Sequence, residues 1–223
     1  MYPPQGNVPI LEEVIADVLW GGNLIFIPTN AGWIEGSAGG GVESHFAFAG
    51  IVQTSATASS TGLSYANVKG FNPGGSHFDY FNWDKKLYLA FNYARQNSDA
   101  EVVARLQLNE TGGAAVLGAK GIGFRADNLA LTGESYGTEL GEVNLSVTLT
   151  NNVEVQIVII HYPASKIEWY VDGVLKGTQS TTAKIPSGTS GGEEYLVHSI
   201  VNGVTGGTNA GGLLMHPKIW QER

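Results

Sequence analysis

The sequence predicts an all-β protein in which two antiparallel sheets form a sandwich, and three observations lead to this fold class. Short apolar stretches recur along the chain and are separated by stretches rich in glycine, serine and asparagine. Several apolar stretches alternate with a period of two, which is typical of strands with one buried face. After residue 20, no stretch has the apolar spacing of a convincing helix. Such a chain is expected to form a sandwich or a closed barrel.

The predicted strands are short apolar stretches bounded by turn-forming residues. They cover residues 24–27, 44–52, 63–68, 87–93, 101–108, 121–125, 129–131, 143–149, 153–162, 167–171, 174–177, 195–201 and 213–221. The main turn-rich stretches are 36–41, 72–75, 109–113, 187–192 and 203–212. We find no interdomain linker and no internal repeat, so a single sandwich is expected over residues 24–223, after an N-terminal arm over residues 1–23.

Two strands indicate which of their faces is buried. Between Leu87 and Tyr93, every second residue is large and apolar, which predicts one face in the core. Residues 153–159 show the same alternation, with Val or Ile at the odd positions. Val158 and Ile160 occupy the opposite face and are also apolar. We therefore predict that the second face becomes buried towards the end of this strand.

The segment 166–178, KIEWYVDGVLKGT, predicts a tight β-hairpin. Its apolar alternation is interrupted by Asp172-Gly173 and resumes at Val174. Asp-Gly accepts positive φ angles at both central positions of a two-residue turn, which matches the twist of the flanking strands.

The N-terminal arm carries a short amphipathic helix, predicted over residues 8–20. Apolar pairs recur at helical spacing with acidic residues between them, and Pro9 suits a first helical turn. The apolar face consists of Ile10, Leu11, Val14, Ile15, Val18 and Leu19. This face needs a partner, which is either the chain's own sandwich or another subunit.

Composition restricts the function. Only 14% of the residues are charged and the net charge is -8, so the surface repels phosphate backbones and nucleic-acid binding is not expected. The chain has no cysteine, which excludes disulfides, zinc–thiolate sites and cysteine nucleophiles. The N-terminus lacks the basic and apolar regions of a signal peptide, and no apolar run is long enough to cross a bilayer. We therefore expect a soluble protein without an export signal or membrane insertion.

Three segments resemble a known family. The C-terminal part of the chain resembles the end of a concanavalin A-like lectin/glucanase jelly roll. It consists of KIEWYVDGVLKGT, a glycine-rich loop and EEYLVHSIVNGVTGGTNAGGLLMHPKIWQER (193–223). GIGFRADNLALTGESYG (121–137) is similar to a strand–turn–strand unit of the same family. The likeness is greatest to versions in viral and phage surface proteins. It implies a jelly roll over residues 24–223, whose ligands, where a member has any, lie on the concave outer face of a sheet.

The acidic residues predict a protein that is not an enzyme. Glucanases of this family carry Glu-x-Asp-x-x-Glu or a close variant on one strand, which holds two carboxylates about 5 Å apart. The nearest acidic cluster here is Glu134, Glu139 and Glu142, and its spacing and glycines predict a loop that would not fix their separation. The Arg, Gln, His and Tyr motifs of the polysaccharide lyases are also not found.

One aromatic-rich segment is a candidate carbohydrate-binding site. Sugars stack on aromatic rings, and their hydroxyl groups form hydrogen bonds with a few amide or carboxylate groups. The candidate residues are Tyr65, Phe71, Asn72, Asp79, Tyr80, Asn82 and Trp83. The alternative interpretation is that these aromatic side chains fill the edge of the core.

The same segment contains the weak calcium candidates Asp79, Asn82 and Asp84. Oxygen-rich stretches of this kind can hold calcium. The alternative is a turn stabilised by Asx side chains. No other metal or cofactor is expected.

The resemblance and the missing catalytic motifs lead to the predicted function. We expect a non-catalytic virion structural protein, such as a tail, fibre or capsid-decorating domain, located on the virion surface. Its predicted partners are other virion proteins, copies of itself in an oligomer, and host glycans. The alternatives are a lectin-like carbohydrate-binding module and a glycoside hydrolase or polysaccharide lyase with an unrecognised site.

Overall fold

The computed structural model confirms the predicted all-β sandwich of two antiparallel sheets. It describes residues 22–26, 33–35, 40–46, 49–55, 57–67, 82–96, 102–110, 119–188, 194–203 and 210–222. The N-terminal helix predicted over residues 8–20, including Ile10, Leu11, Val14, Ile15, Val18 and Leu19, lies outside these residues. The division into an arm and a sandwich therefore stays a prediction.

The described part of the chain contains the following strands in sequence order. They are β1 (Gly22–Phe26), β2 (Trp33–Glu35), β3 (Val42–Phe46), β4 (Ala49–Gln53), β5 (Thr61–Asn67), β6 (Leu87–Gln96), β7 (Val103–Asn109), β8 (Gly121–Asp127), β9 (Ala130–Tyr136), β10 (Leu140–Thr148), β11 (Glu154–Tyr162), β12 (Lys166–Val171), β13 (Val174–Gln179), β14 (Tyr195–Val201) and β15 (Gly211–Glu222). A 3₁₀ turn, Thr182–Lys184, follows β13. None of the described residues forms a helix long and apolar enough to span a membrane.

The strands are divided between two sheets. The first sheet has the order β13-β12-β11-β6-β15-β4-β3, and β1 pairs with the C-terminal half of β15. The second sheet has the order β10-β9-β8-β7-β14-β5-β2. Every described pairing is antiparallel. Because successive side chains of a strand point to opposite faces, each strand directs alternate side chains into the space between the sheets.

The core lies between the sheets and follows the predicted alternation. Leu87, Phe91 and the other alternate apolar residues of β6 are buried in it, as are Ile157 and Ile159 of β11. The prediction that the outer face of β11 is also covered is confirmed, because Val158 and Ile160 belong to a separate buried cluster on the outward side of the first sheet.

Trp169 of β12 connects the two sheets. It is fully buried, and its indole Nε1 donates a hydrogen bond of 2.8 Å to the carbonyl oxygen of Gly123 on β8. A Cβ atom added to Gly133 of β9 would lie 2.6 Å from the Trp169 ring, so this glycine makes room for the indole. The ring thereby fixes the position of β8 and β9, which carry part of the site described below.

The predicted hairpin is confirmed at β12–β13. Asp172 and Gly173 have φ angles of 50° and 76°, as a two-residue turn of this type requires. Two predictions are corrected. The strand predicted over 44–52 is a hairpin of β3 and β4. The loop predicted around Glu134, Glu139 and Glu142 is confined to residues 137–139, which include Glu139, whereas Glu134 lies on β9 and Glu142 on β10. Gly133 and Gly141 occur within these strands, where they avoid clashes with Trp169 and with neighbouring side chains.

Candidate functional site

The outer face of the second sheet carries a cluster of charged and polar side chains. Alternation along β7 sends Leu106 into the core, so Arg105 and Gln107 point outward. The strand register places Gly123 and Arg125 of β8, Glu134 of β9 and Glu142 of β10 on the same face. We call Arg105, Gln107, Arg125, Glu134 and Glu142 the outer polar cluster.

Glu134 is the centre of the outer polar cluster and is only 2% exposed. Its Oε2 accepts a hydrogen bond of 2.8 Å from Gln107 Nε2 and lies 3.4 Å from Arg105 Nε. Its Oε1 accepts a hydrogen bond of 3.1 Å from Arg125 Nη1. A buried carboxylate requires such compensation, because removing its charge from water without partners is costly.

A glycine opens the space in which these side chains meet. Gly123 lies in register between Gln107 on one side and Glu134 on the other. A Cβ atom at this position would lie 2.2 Å from the backbone oxygen of Leu106 and 2.9 Å from Gln107 Cγ, so a larger residue would displace the β7 backbone as well as the Gln107 side chain. The absence of a side chain on β8 lets Gln107 reach across that strand to Glu134. Gln107 Oε1 is buried and has no hydrogen-bond partner in the described structure.

Two like charges face each other in the cluster. Arg105 and Arg125 are directly paired on adjacent strands, an arrangement that is destabilising when it is not compensated. Carboxylates supply the compensation: Arg125 binds Glu134, Asp127 and Glu142. Partial burial opposes the charge of Arg125, but the hydrogen bond to Glu142 and the neighbouring carboxylates outweigh it and raise the pKa of Arg125. Arg125 is therefore a fixed cation.

Glu134 and Glu142 form a carboxylate pair. They are in register on β9 and β10, and both hydrogen-bond to the same nitrogen, Arg125 Nη1. The two oxygens therefore lie within about 6 Å of each other. Glu142 is 44% exposed, whereas Glu134 is buried beneath the arginine.

Three tyrosines border the outer polar cluster. Tyr65 of β5 and Tyr195 of β14 form an edge-to-face pair with ring centroids 5.8 Å apart. Tyr136 of β9 lies in the same row across the strands as Tyr195, separated from it by Asn109 and Gly121. All three tyrosines are half-buried, so part of each side chain is accessible to solvent. The face thus combines aromatic surface with a fixed polar centre.

Only part of the predicted carbohydrate site can be placed. Phe71, Asn72, Asp79 and Tyr80 lie outside the described residues. Tyr65 is on the face just described.

Two members of the predicted set, Trp83 and Asn82, contribute to structure. Trp83 is fully buried, and its indole Nε1 donates a hydrogen bond of 3.1 Å to Glu194 Oε1, so its ring offers no surface to a sugar. Its position agrees with the alternative interpretation of a core-filling aromatic side chain. The Oδ1 of Asn82 accepts a hydrogen bond from the backbone N–H of Asp84.

The weak calcium candidates are likewise engaged within the chain. The Asn82–Asp84 contact forms an Asx turn, and Asp84 Oδ1 accepts a hydrogen bond of 2.7 Å from the backbone N–H of Gly188. Across the described part of the chain, no three His, Asp or Glu side chains gather as metal ligands would. Because Asp79 lies outside that part, the calcium site stays a prediction.

The residues of the outer polar cluster were not predicted as a site. Arg105 and Gln107 alternate with Leu106 and Leu108 on one strand, which is the signal that could have revealed them. The glycines around Glu134 and Glu142 predicted a loop, so these two members of the cluster were not recognised as strand residues on one face.

No protein-family model and no curated protein sequence matches the chain. Solved structures do match. A β-glucanase from Bacillus licheniformis is 15% identical with a TM-score of 0.53, over 91% of this chain and 97% of that one. An alginate lyase of polysaccharide lyase family 7 is 12% identical with a TM-score of 0.53, over 93% and 98%.

A carbohydrate recognition domain, that of Emp47p, is 10% identical with a TM-score of 0.53, over 90% of this chain and 93% of that one. At these identities the similarities concern the fold and not the activity. They show that this chain is a jelly-roll β-sandwich of the concanavalin A-like type.

Proposed function

We propose that the protein binds glycans on the outer face of its second sheet, at the outer polar cluster and the tyrosines beside it. The observation that carries this proposal is the combination of half-buried Tyr65, Tyr136 and Tyr195 with Arg125, a cation fixed by three carboxylates. Aromatic faces and a few rigid polar groups are the features by which proteins hold sugar rings. Proteins of similar fold include a β-glucanase and a carbohydrate recognition domain, which supports the same ligand class.

Within the site, the residues divide into a buried layer and an accessible layer. Glu134 and Gln107 are buried, and they position the two arginines. Arg125, Glu142 and Tyr136 are partly accessible, so we assign the ligand contacts to them.

We further propose that binding proceeds without cleavage. A retaining glycosidase needs two carboxyl groups about 5–5.5 Å apart with the sugar bond between them. Here the guanidinium of Arg125 occupies the space between Glu134 and Glu142 and engages an oxygen of each. The remaining oxygen of Glu134 accepts a hydrogen bond from Gln107, so Glu134 is not placed to attack a sugar as a nucleophile or to donate a proton to it.

The test is binding of the purified protein to a glycan array and to soluble polysaccharides in affinity electrophoresis. Tyr136→Ala is expected to weaken binding about tenfold, the equivalent of about 1.4 kcal/mol, because a stacking ring is lost. Tyr170→Ala is the matched control, since Tyr170 is a similarly half-buried tyrosine on the outer face of the first sheet. Equal binding by both variants, or no glycan bound by the unmodified protein, would contradict the proposal.

Glycoside hydrolysis is a second candidate, which one observation favours. The Glu134 and Glu142 oxygens lie within about 6 Å of each other, close to the separation in retaining enzymes. Release of reducing ends from β-glucans, abolished by Glu134→Gln and by Glu142→Gln, would establish this activity in place of simple binding. The same samples tested on alginate would detect lyase activity through absorbance of the unsaturated product.

A role on a virion surface is part of the proposal only through the sequence resemblance to viral and phage surface proteins. Glycan binding would then serve attachment to a host. The genomic neighbourhood tests this: adjacent portal, capsid or tail genes are expected, and a neighbourhood of polysaccharide-degradation genes would contradict it.

A further inference from the structure

The first sheet has a second apolar cluster on the face that points away from the core. Tyr88 and Ile160 are each only 1% exposed, as buried as core residues. Val158 joins them, and four further side chains pack at the border of the cluster: Ala90, Tyr162, Tyr170 and Trp220. We call these seven residues the outer apolar patch. Outward side chains of a two-layer sandwich are ordinarily accessible, so this patch has the character of a face built to be covered.

The chain itself offers a matching segment. Residues 8–20 read as an amphipathic helix whose apolar face has no assigned partner, and they end directly before β1. We propose that residues 8–20 pack as a helix across the outer apolar patch and form a third layer on the first sheet.

The strand register brings this segment to the correct end of the sheet. Gly22 of β1 is paired with Glu222 of β15, two residues from Trp220, and the Trp220 position faces Tyr88 on β6. Tyr88 in turn is paired with Ile160 on β11. A chain that leaves β1 towards its N-terminus therefore starts at the border of the patch.

The dimensions agree. From β1 through β15, β6 and β11 to β12 there are four steps between neighbouring strands. At about 4.8 Å per step the patch spans about 19 Å. A helix over residues 8–20 would be about 20 Å long at 1.5 Å per residue, so it crosses the patch once.

Charge also favours this occupant. The segment contains Glu12, Glu13 and Asp17 and no basic residue. The patch is bordered by three lysines and two glutamates, a local excess of one positive charge in a chain of net charge -8: Lys86, Lys166, Lys218, Glu168 and Glu222. Lys86 Nζ lies 4.8 Å from the centroid of the Tyr88 ring and 4.9 Å from that of Tyr162, so its charge is held over the patch.

Hydroxyl-radical labelling of the full-length protein, read by mass spectrometry at Tyr88 and Trp220, tests the proposal. On a helical wheel Val18 lies at the centre of the apolar face and Ala16 on the opposite side. Val18→Asp is expected to raise labelling of Tyr88 several-fold, and the matched variant Ala16→Asp is expected to leave it unchanged. Equal labelling in the two variants would overturn the proposal.

A second pair of variants with smaller changes is used if the aspartate variants unfold. Tyr93 lies in the core, so increased labelling of Tyr93 would reveal unfolding. In that case Val18→Ser and Ala16→Ser replace the aspartate variants, with the same expected difference at Tyr88. Light scattering on the same samples shows whether the helix that covers the patch comes from the same chain or from a second copy. Protection of Tyr88 that is independent of protein concentration in a monomer supports the proposal, whereas protection that appears only with dimer formation assigns the patch to a second copy and overturns it.

Discussion

Replacing Glu134 by glutamine tests the structural account of the outer polar cluster. The substitution preserves the shape of the side chain and removes its charge. Glu134 is 2% exposed and is bound by Gln107 and Arg125 through hydrogen bonds of 2.8 and 3.1 Å, with Arg105 at 3.4 Å. Hydrogen bonds to charged groups contribute about 1.5–3 kcal/mol each, and breaking one partner of a buried ion pair costs about 3–5 kcal/mol. We expect Glu134→Gln to lower the free energy of unfolding by about 3–4 kcal/mol.

The control is Glu142→Gln, which removes the same charge from a half-exposed side chain that binds the same arginine. Exposed ion pairs contribute about 1 kcal/mol or less, so this variant should remain close to the unmodified protein. Urea unfolding at pH 7, followed by tryptophan fluorescence, measures both values, and an unchanged m-value would show that the two variants unfold from equally compact states. A loss below about 1 kcal/mol in Glu134→Gln, or equal losses in both variants, would show that the buried carboxylate does not hold the cluster together.

Three further predictions concern the framework of the fold. Gly133→Ala should destabilise the protein by about 1–3 kcal/mol in urea unfolding, because its Cβ would lie 2.6 Å from the Trp169 ring, and a neutral effect would contradict this packing. Gly173→Ala should cost about 1 kcal/mol, because its φ angle of 76° strains any residue with a side chain; an unchanged midpoint would argue against the turn. Burial raises the pKa of Tyr93 to about 12, against the charge of Arg95, which lowers it. The folded-state pKa exceeds the unfolded value of 10, so this contribution to stability is complete below pH 10 and is lost as the pH rises towards 12. Unfolding at pH 9 and pH 11.5 should show a steeper loss in the unmodified protein than in Tyr93→Phe, and equal slopes would contradict the shift.

The sequence predicted the fold well where alternation was uniform. The inward residues of β6 and the two buried faces of β11 could be assigned because every second side chain was apolar. The Asp172-Gly173 turn was equally clear, since few residue pairs accept positive φ at both positions. Strands β9 and β10 were only partly recognised, over 129–131 and 143–149. The parts that contain Gly133 and Gly141 were missed, because these glycines serve packing against distant residues such as Trp169, which a local pattern does not reveal.

The site was harder to predict than the fold for a related reason. The outer polar cluster is assembled from four neighbouring strands, and only the sheet register brings Arg105, Glu134 and Glu142 together. The predicted Trp83 instead proved to be a core residue, because aromatic residues near a glycine-rich segment have the same local signature whether they face a ligand or the interior.

Glycan binding without cleavage can be tested by calorimetric titration of the protein with oligosaccharides, with reducing ends and unsaturated products assayed in the recovered sample. We expect that a bound oligosaccharide is recovered intact and that Tyr136→Ala weakens its binding while Tyr170→Ala does not. Cleavage of the oligosaccharide that disappears in Glu142→Gln would contradict the account and show that the carboxylates of the outer polar cluster are catalytic.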